Sequence, residues 1–185
     1  MNTDSIRIRE KALFGAILGK QDIIQRLRTQ PPLIEGLIDE ERQIGSNGVD
    51  LTVNKLAKFV SKGAAAFFNQ ERVISNIQEL QFQKDGWLSL EQGSYKIMFN
   101  EIINMPTDLV AFARPRSSIL RSGASIETAI WDAGYRGRSE ALLSVFNPSG
   151  LKIKKNARVV QIVFLKLSNP TSEVYNGVFQ GENID

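Results

Sequence analysis

From residue 49 onward the chain is cut into short apolar and β-branched runs separated by turn-forming residues, and this spacing limits its fold more than any other feature. VDLTVN alternates Val49, Leu51 and Val53 with polar residues, as a half-buried strand does. WLSL (Trp87 to Leu90), YKIMF (Tyr95 to Phe99), LVAFA (Leu109 to Ala113), ALLSVF (Ala141 to Phe146) and ARVVQIVFLKL (Ala157 to Leu167) have the same character. Gln92-Gly93-Ser94, Met105-Pro106-Thr107 and Asn147-Pro148-Ser149-Gly150 punctuate them. Many short strands at this spacing predict a mainly β fold, a distorted barrel or jelly roll.

Helix is scarce. Lys20 to Thr29 carries Ile23, Ile24 and Leu27 on one face and is expected to pack outside the sheet. Ser117 to Ser122 is expected to form one or two turns, ended by Gly123. The 185 residues are expected to form a single domain over 1–185, with the first ten residues and the tail 168–185 as the segments lowest in order. No apolar run is long enough to span a bilayer, and MNTDSIRIREK lacks the apolar core of a signal peptide, so a cytoplasmic protein is expected.

Two absences bound the chemistry. With no cysteine and no histidine, the chain cannot build a Cys/His zinc site, a thiolate nucleophile or a Ser-His-Asp triad. A zinc-dependent deaminase is excluded with them. Acid–base work falls to Asp, Glu, Lys or Tyr. The 23 basic residues are set against 20 acidic ones, a net charge of +3 too small to predict a nucleic-acid partner.

In ARPRSSILRSG (Ala113 to Gly123) a strand ends at Pro115 and a helix starts at Ser117 or Ser118, which turns free amides and the positive end of the helix dipole outward. Arg121 follows Ser117 by four residues and Ser118 by three, on the same face, and Arg116 flanks the turn. Two hydroxyls and two guanidinium groups suit a polyphosphate. The same residues also suit a capped helix with solvated arginines. Six residues on, AIWDAGYRGR (Ala129 to Arg138) reads as a strand running into Asp132 and a glycine turn that presents Tyr135. A carboxylate three residues from an aromatic ring can hold a water or a sugar hydroxyl while the ring stacks on a base, although Asp and Gly also favour turns for local reasons.

Together, PRSSILRSG and WDAGYRG resemble the second and third motifs of the trimeric dUTPases and dCTP deaminases, which share one β-clip fold. That resemblance implies that Arg116, Ser117, Ser118 and Arg121 bind a triphosphate. It makes Asp132 the general base beside the deoxyribose and Tyr135 the stacking residue, with Ile130 and Trp131 offering backbone groups to the base. ILGKQDIIQRL (Ile17 to Leu27) and YKIMFNEIINMPTDLVAFARPRSS (Tyr95 to Ser118) are similar to family segments too. GSNGVDLTV resembles the first motif, with Asp50 in a structural role, and ARVVQIVF the fourth, with Gln161 reaching the nucleotide. VYNGVFQGE resembles the tail that closes over the ligand through Tyr175 and Gln180.

The family's deaminases use a glutamate in the strand after the aspartate turn, here RSEALLSVFN. Counting from Asp132 puts that position at Leu142, and counting back from Asn147 puts it at Ser144, a pocket residue in either case without a carboxyl group. Glu140 is the only acid in the strand. The reading is therefore hydrolysis of dUTP to dUMP and pyrophosphate, with Mg2+ carried by the triphosphate and no metal ligand from the protein. A homotrimer with shared sites is implied by the resemblance. Deamination of dCTP, alone or beside hydrolysis, and a catalytically silent nucleotide-binding regulator are the alternatives.

Overall fold

The computed structural model describes residues 16–184, so the first ten residues, expected to be low in order, lie outside the described part. Twelve strands and three short α-helices occur in it. Six strands form one ladder in the order β7 (Leu109–Pro115), β12 (Arg158–Lys166), β2 (Val49–Phe59), β5 (Gly93–Phe99), β10 (Glu140–Val145) and β8 (Ala124–Glu127), and β3 (Ile77–Leu80) is added on β2. The outer strands β7 and β8 are joined directly through α3 (Ser117–Arg121), so the ladder rolls into a nearly closed barrel. The mainly β expectation holds, with strands at all five segments named from the sequence and at Val49.

The barrel closes because two strands bend. The register between β2 and β5 shifts between Val53 and Lys55, and that between β12 and β2 shifts between Arg158 and Val160. Such irregularities sharpen twist and let one strand pair with different neighbours along its length. Inside lie Leu51, Val53, Leu56, Ile97, Phe99, Leu109, Leu143, Ile162 and Phe164, all fully buried.

β2 differs from the expected half-buried strand. Asp50 and Thr52 are buried as well as Val49, Leu51 and Val53, because α2 (Glu40–Gln43) and Glu101 cover its other face. Glu101 accepts bonds from Thr52 N (2.9 Å), Thr52 Oγ1 (2.7 Å) and Gln43 Nε2 (2.7 Å). Burial pushes its carboxyl upward, and those donors oppose the shift.

The first helix is shorter than expected. α1 spans Lys20–Arg26 with Leu27 as its cap, and Thr29 Oγ1 donates to Arg26 O at 2.7 Å. Pro31 and Pro32 follow, and neither can supply an amide to continue the helix. Ile23 and Leu27 still pack on the core. Among the described residues no helix is long and apolar enough to cross a membrane.

Two small sheets complete the fold. β4 (Trp87–Leu90) pairs with β11 (Leu151–Lys154), while β1 (Ile34–Glu35), β6 (Ile102–Asn104) and β9 (Arg136–Gly137) form a second ladder beneath the Asp132 turn. That ladder fixes the turn. Met105 N donates to Tyr135 O at 2.8 Å and Gly134 N to Met105 O at 3.0 Å.

α3 ends where Gly123 takes a φ of 74°, and its carbonyl accepts from Phe146 N and Asn147 N. A Cβ at that position would stand 2.9 Å from Asn147 Cβ. Gly123→Ala is therefore expected to destabilise the fold by about 1–3 kcal/mol, read as a lower urea midpoint at unchanged slope.

Candidate active site

Two groups of functional side chains emerge, and one chain does not bring them together. The first gathers around α3. In the barrel ladder Gln161 stands between Asp50 on β2 and Arg114 on β7. Asp50, only 6% exposed, receives Arg116 Nε at 3.3 Å and Arg158 Nη1 at 3.2 Å. Burial raises the Asp50 carboxyl, and the two guanidinium groups pull it back down. Asp50 thus holds Arg116 at the entry to α3, which makes its structural role a positioning one. Arg158, which the sequence reading passed over, supplies the second cation from the head of the Gln161 strand.

Ser117, Ser118 and Arg121 are exposed on α3. Gln161 is half-buried, with Gly45 and Gly48 beside it. A Cβ on Gly48 would meet Ile162 O at 2.3 Å, so only glycine lets that loop lie this close to β12.

The second group surrounds Asp132. A cavity of about 400 Å³ is lined by Ile130, Trp131, Asp132, Tyr135, Glu140 and Glu182 among others. That volume suits a small organic ligand. Trp131 is not part of a strand; its amide and carbonyl both bond Ala111, at 2.9 and 3.0 Å. The backbone edge that the sequence reading offered to a base is therefore already occupied at Trp131, and its indole N–H donates to Ser139 Oγ at 2.6 Å. Ile130 remains exposed.

Tyr135 is buried, and its hydroxyl sits 3.1 Å from Ser139 Oγ and donates to Glu182 Oε1 at 2.7 Å. Burial pushes the phenol far upward and Glu182 adds to that, while Ser139 opposes it. The tail lies against its own chain. Tyr175 N donates to Ala133 O (2.8 Å), Gly181 N to Arg136 O (2.8 Å) and Arg138 N to Glu182 O (2.9 Å), so the tail satisfies the edge of β9 that β6 leaves open. Gln180 clamps the turn with its amide, accepting from Arg136 N at 2.8 Å and donating to Gly134 O at 2.9 Å. Tyr175 meets Tyr135 edge-on, with ring centroids 5.7 Å apart.

Glu182 is a residue the sequence reading missed, although it falls in the quoted segment VYNGVFQGE. Its carboxyl is raised first by burial and further by Glu140, against the Tyr135 bond and Lys96. Glu140 touches the same cavity but is engaged by Lys96 Nζ at 2.8 Å. On β10, Leu143 and Val145 point into the core, leaving Glu140, Leu142 and Ser144 on the other face. Ser144 stands opposite Ser94 and Ser125, and Leu142 opposite Glu127.

Among the described residues no lysine or arginine lines the Asp132 cavity. Trp131 is bridged to Ala111, and Pro115 lies four residues further along β7, about 13 Å of strand. The cations of α3 therefore stand well away from Asp132 in the same chain.

Comparison with known proteins gives a consistent result. Residues 17–167 match the family model described as dCTP deaminase-like. A protein of Methanosarcina mazei named probable deoxyuridine 5'-triphosphate nucleotidohydrolase is 48% identical over 168 residues, covering 91% of this chain and 98% of its relative. The deoxyuridine 5'-triphosphate nucleotidohydrolase of Methanocaldococcus jannaschii is 40% identical over 143 residues, covering 77% and 90%. Among solved structures, the 2'-deoxycytidine 5'-triphosphate deaminase of Agrobacterium tumefaciens superposes with a TM-score of 0.62 at 22% identity. That match covers 82% of this chain and 48% of the deaminase chain, and it shows a shared fold.

Tyr135→Phe removes the donor that holds Glu182. A hydrogen bond to a charged group is worth about 1.5–3 kcal/mol, so the docked tail is expected to open at least about tenfold more often. Faster limited proteolysis between Val174 and Glu182, with the barrel intact, is the readout.

Proposed function

Because the chain belongs to the dCTP deaminase-like family, we propose that it hydrolyses dUTP to dUMP and pyrophosphate as a cytoplasmic dUTP diphosphatase. The observation that carries this is the Asp132 cavity. It offers an accessible carboxylate in a pocket of nucleoside size, walled by Trp131, Tyr135 and Tyr175. In this reading Asp132 takes a proton from the attacking water, Tyr135 and Tyr175 wall the deoxyribose and the base, and Ile130 borders the entrance. Ser144 lies further along β10. Arg116, Ser117, Ser118 and Arg121 bind the phosphates, with Gln161 behind them and Asp50 holding Arg116 in place. Gln180 keeps the Asp132 turn in shape.

The separation of the two groups supports a homotrimer with shared sites. A cavity without cations cannot neutralise a triphosphate, so the arginines of α3 would come from a second copy. Leu120, Ile130, Leu142 and Phe146 are large apolar residues exposed near these elements and suit a surface that another copy covers.

Among the described residues no cluster of three acidic side chains could form a metal cage. A Mg2+ in this reading would be carried by phosphate oxygens and water, and would add positive charge where the phosphates lie. Deamination is less well supported. Glu140 is engaged by Lys96, Leu142 has no titratable group, and the Ser144 hydroxyl does not ionise near neutral pH.

Pyrophosphate release from dUTP, compared with the other deoxynucleoside triphosphates, tests the reading directly: its absence would overturn the reading, and formation of dUTP or dUMP from dCTP would show that the chain also deaminates. Asp132→Asn keeps the shape and loses the base. It is expected to cut kcat by about two to four orders of magnitude with nucleotide binding retained. Activity within a few-fold of the parent would move the base elsewhere. Sharing of sites has its own test: Asp132→Asn and Arg121→Ala chains, each inactive alone, should recover part of the activity when unfolded and refolded together.

A further inference from the structure

We propose that Glu182 is the residue by which this chain distinguishes uracil from cytosine, an inference that rests on the reading of the Asp132 cavity as a deoxyuridine nucleotide site. The first support is elimination among the groups that wall the cavity. Trp131 has spent its amide and carbonyl on Ala111 and its indole N–H on Ser139. The Tyr135 hydroxyl is held by Ser139 and Glu182. Glu140 is committed to Lys96. Of the three acidic side chains on the cavity, Asp132 is assigned to the water and Glu140 has its charge paired with Lys96, which leaves Glu182 as the acidic side chain without a cationic partner among the described residues.

Geometry singles out Glu182 further. Its carbonyl accepts from Arg138 N at 2.9 Å and its amide donates to Phe179 O at 3.2 Å, which fixes the backbone on the tail. Tyr135 fixes Oε1 at 2.7 Å. Oε2 then has no hydrogen-bond partner among the described residues, on a side chain that lines the cavity. A carboxylate held by one oxygen presents the other in a set direction, with little rotamer entropy left to lose on binding.

Chemistry supplies the selectivity. An ionised carboxylate can only accept. Uracil has one donor on its pairing edge, N3–H, whereas cytosine has a lone pair at N3. Oε2 facing N3 therefore bonds uracil and opposes two lone pairs in cytosine, leaving both groups buried and unpaired.

Three full-length variants test this, each checked for the parent's circular dichroism spectrum and oligomeric state. Glu182→Gln keeps the length and leaves an amide oxygen to accept from Tyr135, but it can turn N–H donors to the base. The ratio of kcat/KM for dUTP over dCTP, measured by pyrophosphate release, is expected to fall about tenfold or more, mainly through a higher KM for dUTP. Glu182→Asp restores the acceptor and is expected to regain most of the ratio at a lower rate, whereas Glu182→Ala should not. Equal losses on both nucleotides, or an Asp variant no more selective than Gln, would reduce Glu182 to a tail anchor and overturn the inference. A rise in dUTP selectivity in Glu182→Gln would place the carboxylate at the cytosine amino group and overturn it as well. Failure of the parent chain to release pyrophosphate from dUTP is a separate result, and it would overturn the reading of the cavity together with this role.

Discussion

The molecule depends on one strand hydrogen-bonded along both edges. β12 takes β7 on one side from Val160 to Lys166 and β2 on the other from Arg158 to Ile162, so its Val159, Val160, Ile162 and Phe164 are sealed on all sides. A strand in this position cannot slip by one residue without turning its whole apolar set outward. Its register is therefore fixed, and the row Asp50, Gln161, Arg114 is fixed with it. Arg116 inherits its place from that row through its ion pair with Asp50.

The Asp132 turn has a different kind of support. It belongs to no long strand and is held by single connections: Ala111 to Trp131, Met105 to Gly134 and Tyr135, and the clamp of Gln180. Each bond contributes only about 1 kcal/mol net, so the turn is tied to the barrel and is softer than it. Such division between a rigid scaffold and an adaptable loop suits a pocket that must admit a ligand and then enclose it. The tail completes the enclosure from its own chain.

Much of the site was legible in the sequence because its chemistry is local. Ser117, Ser118 and Arg121 lie on one five-residue helix with Arg116 as its N-cap, and Asp132 and Tyr135 share one glycine turn, so spacing alone groups them. The Lys96 partner of Glu140 and the Arg158 partner of Asp50 were not legible, since 44 and 108 residues separate the members of these pairs. Glu182 was overlooked for the same reason: it lies 47 residues from the Tyr135 hydroxyl that gives it meaning.

By itself the sequence determined the β class, the positions of the main strands, the absence of thiol and imidazole chemistry, and the motifs that mark the family. These follow from side-chain period, turn residues and composition, which act over a few residues at a time. Tertiary structure alone decided that β2 is buried on both faces, that the backbone at Trp131 is spent on β7, that the tail docks against its own Asp132 turn, and that the arginines of α3 stand away from it. Those outcomes depend on which distant edges find each other when the barrel closes, and short-range preferences do not encode such pairings.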